Sequence, residues 1–210
     1  MAAATRLISR LTLVTGGGSG IGRAVCQRLA SEGASVVVAD ISEESANETL
    51  GSLPSDLRGQ THMAAVVDVS SKESVKNLVT SIQTHYFQPP SVCVNAAGIT
   101  QDDFLLNMEE DQFDKVIQVN LKGSFLVTQA VAQALVACGA PKGSIVTVGS
   151  IVGKVGNIGQ ANYAASKAGV EGLTRTAAKE LSSVFWVCPG AAYQWNMHGT
   201  PLSRDFQEAS

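Results

Sequence analysis

The sequence has no surplus of positive charge, no long apolar run and few aromatic residues. Its net charge is −3 at pH 7, and 5% of its 210 residues are aromatic. Without a basic stripe or interleaved basic and aromatic residues, nucleic acid is a poor partner. No apolar run approaches the roughly 20 residues that a membrane-spanning helix needs. We therefore expect a globular domain with no membrane span and no nucleic-acid partner.

Cysteine is also sparse, and it lacks the spacing of a metal site or a disulfide framework. The four cysteines, Cys26, Cys93, Cys138 and Cys188, include no CxxC pair. Zinc sites and disulfide-rich domains show characteristic short spacings that are missing here. We therefore expect no metal and four free thiols in a reducing compartment.

What the sequence does have is a regular alternation of apolar runs and amphipathic segments. The apolar runs predict strands over 11–16, 34–40, 62–69, 91–98 and 144–150. Helical periodicity fills the intervals, with the last two helices over about 109–137 and 162–181. Strands that are apolar throughout imply a parallel sheet that is covered on both faces. The predicted fold class is therefore α/β, a doubly wound, Rossmann-like parallel sheet.

Two terminal segments depart from this alternation. The first ten residues carry Arg6 and Arg10, and no acidic residue precedes Glu32, which is typical of a mitochondrial targeting segment. A slightly basic lead-in to the first strand is the alternative, and the residues alone favour it. Residues 182–210 show neither strand alternation nor a helical stripe, and they contain five of the eleven aromatic residues. We predict a catalytic domain over 1–181 and a divergent tail over 182–210.

A glycine-rich turn joins the first strand to the first helix. In "VTGGGSGIGRA", Gly16, Gly20 and Gly22 give the spacing GxxxGxG, and no Gly-Lys-Ser/Thr ending follows. Glycines let a backbone approach a pyrophosphate closely, and the helix N-terminus offers free N–H groups to it. The turn predicts a dinucleotide site rather than a triphosphate clamp, although glycine-rich turns can also be purely structural.

An acidic residue at the end of the second strand favours one of the two nicotinamide dinucleotides. Asp40 lies at the position where a carboxylate bonds the ribose hydroxyls and repels a 2′-phosphate. Neither Ile41 nor Ser19 supplies a counter-charge for that phosphate, so we predict NAD rather than NADP. The alternative is that Asp40 only caps the next helix. Asp68, at the end of the third strand, is either an adenine contact or a turn residue.

A tyrosine and a lysine lie four residues apart in "QANYAASKAGV". On a helix, Tyr163 and Lys167 share a face, and a neighbouring ammonium favours the phenolate form of a tyrosine. Ser150, at the end of the fifth strand, can hydrogen-bond a substrate oxygen. Asn120, inside an apolar run, is costly unless its amide is bonded, and we expect it to anchor a water that relays protons to Lys167. Each feature alone is common, and only their combination is specific.

That combination resembles the short-chain dehydrogenase/reductase family over about residues 7–181. The resemblance rests on "TGGGSGIG", Asp40, "DV" at 68–69, "NAAG" at 95–98, Asn120, Ser150, Tyr163 and Lys167. It implies Tyr163 as the general acid/base, Lys167 as its partner and ribose ligand, Ser150 as the residue that orients the substrate carbonyl, and Asn120 in a proton relay. The implied cofactor-binding residues are Leu13, Val14, Thr15, Gly16, Gly18, Ser19, Gly20, Ile21, Asp40, Ile41, Val67, Asp68, Val69, Asn95, Ala96, Gly98, Tyr163 and Lys167.

Three longer segments of the sequence resemble one branch of the family, the 3-oxoacyl-[acyl-carrier-protein] reductases. They are "AGITQDDFLLNM", "VIQVNLKGSFLVTQA" and "GSIVGKVGNIGQANYAASKAGV". This resemblance, closest to a mitochondrial form, implies NAD-linked oxidoreduction of 3-oxoacyl and (3R)-3-hydroxyacyl thioesters in fatty acid synthesis, with 17-beta-hydroxysteroids as further substrates. It also implies a mitochondrial matrix location and a heterotetramer with a carbonyl-reductase partner. A sugar or polyol dehydrogenase of the same family is an alternative.

The resemblance ends at "KEL", residues 179–181. Family members continue with a sixth strand, a Pro-Gly turn and a seventh strand, and here only "VCPG" at 187–190 matches the turn, a few residues early. We therefore expect the sheet to lack the last two strands and to leave strand five as an exposed apolar edge. On that expectation the chain is weakly stable and has little activity. The alternative function is an impaired splice or frame variant that acts at most as a cofactor-binding fragment.

Overall fold

The computed structural model describes residues 6–55, 59–139, 142–182 and 186–190. Six parallel strands form one sheet in the order β3-β2-β1-β4-β5-β6. They are β1 Leu11–Thr15, β2 Ser35–Asp40, β3 Met63–Val66, β4 Val92–Asn95, β5 Ser144–Val148 and β6 Trp186–Gly190. The order reverses between β1 and β4, which places a crevice at the carboxyl ends of these strands. The predicted doubly wound α/β fold is confirmed.

Helices connect the strands and cover the sheet. They are α1 Gly20–Ser31, α2 Glu43–Gly51, α3 Lys72–Tyr86, α4 Glu110–Val116, α5 Gly123–Ala137, α6 Val152–Val155 and α7 Ala161–Leu181. A π-helical segment, Ile117–Lys122, joins α4 to α5, so the helix predicted over 109–137 changes its winding in the middle. None of the helices in these ranges combines the length and the hydropathy that crossing a membrane requires.

Both faces of the sheet are covered by helices. Successive strand residues point to opposite sides, so each strand contributes to both cores. Leu13 and Val37 pack in one cluster with residues of α3 and α5. Val14 and Val38 pack in a second cluster with residues of α1 and α2. The near-continuous apolar strands of the sequence are therefore explained by two separate cores, one on each side.

The expectation that the sheet lacks its last two strands is wrong for the first of them. Residues 186–190 form β6, which runs parallel to β5 with Ser144 opposite Trp186 and Val148 opposite Gly190. β5 is thus paired on both sides and is not an exposed edge. Strand pairing is made by backbone groups in register, so it does not require the family's residues at these positions. The expected absence of a seventh strand concerns residues 191–210, which lie outside the described ranges.

The helix α3 is capped by Ser71 and not by its neighbour Ser70. Ser70 and Glu73 have the spacing of a capping box, but it is the side chain of Ser71 that accepts the N–H of Ser74. Ser70 instead bonds Asp68, with its hydroxyl 2.7 Å and its N–H 2.9 Å from Asp68 Oδ1. Asp68 therefore holds the turn between β3 and α3.

Candidate active site

The glycine-rich turn is packed backbone against backbone. Gly16 has φ +67°, and a Cβ there would lie 2.8 Å from the backbone of Ala97. A Cβ on Gly22 would collide with the carbonyl oxygen of Gly16. The turn therefore lies close over the start of α1, and the first N–H groups of that helix face the crevice, where an anion is favoured.

Asp40 holds this turn from the end of β2. Its Oδ2 accepts the N–H of Gly18 at 2.9 Å, and its Oδ1 accepts the N–H of Ser42 at 3.0 Å. The cap of α2 is Ser42, whose hydroxyl accepts the N–H of Ser45. Asp40 thus ties the glycine turn to the start of α2, and each carboxylate oxygen keeps acceptor capacity for a ligand.

A cavity of about 600 Å³ extends from this turn to the Tyr163–Lys167 pair. Most of the cofactor-binding residues expected from the sequence line it. They are Gly16, Ser19, Gly20, Ile21, Asp40, Ile41, Val67, Asp68, Val69, Ala96, Gly98, Tyr163 and Lys167. Its lining also includes Ala97, Ile99, Thr100, Lys115, Val119 and Val148, which sequence reasoning missed.

Five of the expected cofactor contacts lie outside that lining. Leu13 and Val14 are fully buried in the two cores. Asn95 is buried and turns its amide to Thr128, with Nδ2 3.0 Å from Oγ1. Thr15 is buried, and its carbonyl accepts the N–H of Ala96 at 3.2 Å. Gly18 donates its N–H to the Asp40 carboxylate. These residues support the segments that line the cavity without lining it themselves.

Asn120 lies in the π-helical segment and is fully buried. Its Oδ1 accepts the N–H of Ile99 at 2.8 Å, and its Nδ2 donates to the Ile99 carbonyl at 3.0 Å and to Ser166 Oγ at 3.1 Å. Such segments frequently mark functional sites. The buried amide is therefore paired, and it fixes the loop after β4 against α7.

Lys167 is 7% exposed, and it lines the cavity. Nζ donates to the carbonyl of Val148 at 2.8 Å and lies 5.7 Å from the centre of the Tyr163 ring. Burial lowers the pKa of this lysine from 10.5 to about 8, because desolvation disfavours the charged form. Tyr163 itself is half-buried at the cavity wall. The lysine can therefore exchange a proton near neutral pH.

Ser150 follows β5 by two residues, and its Oγ accepts the N–H of Val152 at 3.2 Å. It begins the turn into α6, and Gly153 of that turn is so close to α7 that a Cβ would lie 2.8 Å from the backbone at Lys167. Ser150 is half-buried and is not part of the cavity lining. α6 thus fastens the Ser150 segment to the helix that carries Tyr163 and Lys167.

Two buried polar residues of α7 were not identified from the sequence. Asn162 donates from Nδ2 to the carbonyls of Gln101 at 2.8 Å and Gln112 at 3.2 Å, and so joins α7 to α4 and the loop before it. Ser166 donates from Oγ to the Tyr163 carbonyl at 2.7 Å and accepts from Asn120. Their positions next to Tyr163 and Lys167 are a signal, but their partners lie too far along the chain to be inferred.

The residues present fit a dinucleotide. The glycine turn provides a cradle that a Cβ at Gly16 or Gly22 would fill, and the cavity joins this cradle to a carboxylate at one end and to a phenol and an amine at the other. This arrangement matches a ligand with an adenosine ribose, a charged diphosphate and a second reactive end.

Comparison with known proteins supports this assignment. The family model for short chain dehydrogenases matches residues 10–199. The chain is 56% identical over 187 residues to a (3R)-3-hydroxyacyl-CoA dehydrogenase of Rattus norvegicus, covering 86% of this chain and 71% of that protein. It is 58% identical over 182 residues to the Homo sapiens protein of the same name, covering 84% and 69%.

Bacterial proteins and a solved structure extend the comparison. The chain is 45% identical over 179 residues to a 3-oxoacyl-[acyl-carrier-protein] reductase of Thermotoga maritima, covering 84% of this chain and 70% of that protein. A short chain dehydrogenase from Mycobacterium smegmatis superposes with a TM-score of 0.85 at 30% identity, covering 93% of this chain and 80% of that one. With its fold, its glycine turn and its Tyr163–Lys167 pair, the chain belongs to the short-chain dehydrogenase/reductase family of enzymes.

Proposed function

We propose that this chain is an NAD(H)-dependent oxidoreductase of 3-oxoacyl and (3R)-3-hydroxyacyl thioesters in fatty acid metabolism. The observation that carries the proposal is the single cavity that joins the glycine turn to Tyr163, with Lys167 Nζ 5.7 Å from the Tyr163 ring. The names of the relatives, at 56% and 45% identity, support the thioester substrates.

The proposed roles follow from where each group lies. A bound nicotinamide supplies the hydride acceptor or donor. Tyr163 exchanges a proton with the substrate oxygen, and Ser150 orients that oxygen by a hydrogen bond. Lys167, whose pKa is lowered to about 8 by burial, supplies a proton to the tyrosine or removes one from it. In this scheme the side chains of the protein transfer the proton, and the cofactor would transfer the hydride.

Asn120 is proposed to act in the proton relay. A Cβ at Gly98 would lie 3.3 Å from Asn120 Oδ1 and 3.7 Å from Lys167 Nζ, so both atoms border the same small space. The Asn120 carbonyl accepts from Ser124 Oγ at 2.6 Å and has a second lone pair. A water held between this residue and Lys167 would continue the relay.

The preference for NAD is proposed from the surroundings of Asp40. An anionic side chain at this position disfavours a 2′-phosphate. The exposed neighbour Ile41 offers no charge, and the guanidinium of Arg23 is bonded to the Gly18 carbonyl and to Glu48. NADH should therefore raise the melting temperature of the purified chain more than NADPH does. Equal shifts would contradict the preference.

Substitution of Tyr163 by phenylalanine tests the chemistry. We expect turnover of a 3-hydroxyacyl thioester to fall by about 10²–10⁴-fold, since a general acid/base is removed. The dissociation constant for NADH, followed by its fluorescence, should stay unchanged, because the ring remains in the cavity wall. Tyr86→Phe is the matched control, since Tyr86 bonds the Thr61 carbonyl and neither residue lines the cavity. Retained turnover in the Tyr163 variant would exclude this mechanism.

Further expectations rest on resemblance. They are activity on 17-beta-hydroxysteroids, the mitochondrial matrix location and the heterotetramer with a carbonyl-reductase partner. The impaired-fragment alternative is less favoured, because β6 pairs with β5 and β5 is therefore not an exposed edge. Co-purification with a carbonyl reductase would test assembly, and a steroid dehydrogenase assay would test the second substrate class.

A further inference from the structure

The charges that line the cavity are few and unevenly engaged. Four charged side chains face it, those of Asp40, Asp68, Lys115 and Lys167. Lys167 is 7% exposed and bonded to the Val148 carbonyl. Lys115 is exposed and makes no hydrogen bond or ion pair with any residue in the described ranges. Its ammonium is therefore the one cation of the cavity wall that is available to a ligand in this part of the chain.

The glycine turn has no cation of its own directed at the cavity. Arg23, in the first turn of α1, donates to the Gly18 carbonyl and to Thr49 Oγ1, and its guanidinium pairs with Glu48 at 3.0 Å. It is not part of the cavity lining. A diphosphate bound only by backbone N–H groups would have no positively charged side chain beside it. A hydrogen bond from a charged donor would bind such a dianion more strongly than one from a neutral N–H.

The position of Lys115 on its helix directs it to the cavity. It lies four residues before Val119, which also lines the cavity, so the two side chains share one face of the α4–π helix. Glu110, Asp111 and Asp114 lie near it in sequence on α4, but none pairs with it within 4.0 Å. The flexible stem of a lysine can therefore lie along Val119 with its ammonium over the cavity mouth.

We propose that Lys115 is a phosphate-binding residue that closes over the diphosphate of the bound dinucleotide. The inference rests on the proposed function and adds the charged contact that the glycine turn lacks. A phosphate of a coenzyme A thioester entering by the same mouth has the same chemistry. The two sources are distinguished by ligands that carry only one of them.

The first experiment titrates NADH into wild type, Lys115→Gln and Lys115→Arg at two salt concentrations. We expect the dissociation constant to rise about tenfold in Lys115→Gln, with a weaker salt dependence, because one charge-assisted contact is lost. Lys115→Arg should stay near wild type. The matched control is Lys122→Gln, since Lys122 is exposed on the same helical rod and lies outside the cavity lining; it should leave the constant unchanged.

A second experiment identifies the phosphate. ADP should lose affinity in Lys115→Gln while adenosine does not, which assigns the contact to the cofactor. A rise in KM for a coenzyme A thioester, absent for an N-acetylcysteamine thioester, would assign it to the substrate. Equal effects of the Lys115 and Lys122 variants, or none, would overturn the inference alone. Failure of the wild type to bind NADH or ADP would overturn the proposed function with it.

Discussion

The two ends of the cavity are built by different means. At the glycine turn the contacts are between backbones, with Gly16 against Ala97 and Gly22 against the Gly16 carbonyl. At the Tyr163–Lys167 end they are hydrogen bonds made by buried side chains, and those of Asn120 and Asn162 link residues that lie 46 and 61 positions apart in the chain. One end depends on the absence of side chains, and the other on their hydrogen bonds.

The difference predicts how each end fails. A backbone contact has no room to relax, so an added methyl group displaces the helix as a whole. A hydrogen-bonded network can lose one member and leave its partners unsatisfied without moving the chain. Substitutions that are small in volume should therefore be most harmful at the glycine turn.

Gly22→Ala should produce the largest effect. Its Cβ would collide with the Gly16 carbonyl, so we expect the free energy of unfolding to fall by about 3 kcal/mol. Displacement of the cradle should weaken NADH binding by about 100-fold. The matched control is Gly172→Ala in α7, where a Cβ meets nothing within 4 Å and stability should rise slightly. Denaturation and fluorescence titration check both, and similar behaviour of the two variants would refute the backbone argument.

Asn120→Ala should be next in size. It leaves the N–H and carbonyl of Ile99 without their partner and removes the bond that Ser166 Oγ accepts, which should lower the free energy of unfolding by about 2–3 kcal/mol. Asn47→Ala is the control, since Asn47 is exposed and its amide bonds the Glu43 carbonyl within its own helix. NADH affinity should change less than in Gly22→Ala. A loss of binding without a loss of stability would show that Asn120 contacts the ligand directly.

Lys167→Met should have the smallest effect on stability, and one of opposite sign. The unfolded chain holds the lysine proton up to its pKa of 10.5, and the folded chain only up to about 8, so burial costs stability below pH 8. We expect the apo variant to be more stable than wild type by about 1–2 kcal/mol at pH 7, with the gain vanishing as pH rises from 8 to 10.5.

The control for this variant is Lys179→Met, because Lys179 is exposed near the end of the same helix. Denaturation curves at pH 7 and pH 10 compare each variant with wild type. A gain that does not depend on pH, or one that Lys179→Met shares, would show that the cost comes from something other than the buried charge.

The same contrast explains how much the sequence could predict. Five strands follow from apolar runs, and the glycine turn follows from its spacing, because both depend on local residues. The role of Asn162 depends on carbonyls of Gln101 and Gln112 that no local pattern identifies. Ser71 caps α3, and Ser70 is instead hydrogen-bonded to Asp68. β6 was missed because its pairing with β5 depends on a neighbour 42 positions away in the register.

That last strand has a consequence for the order of folding. We expect β5 to receive β6 late in folding, because the chain must first pass through α7 and return to the sheet, and such long-range parallel pairing is slow. Until then β5 presents unpaired backbone groups, which other chains can recruit. The yield of native protein should therefore depend on protein concentration during refolding, with dilution favouring the native fold over aggregates. The pairing of β6 with β5 therefore limits aggregation during folding as well as completing the sheet.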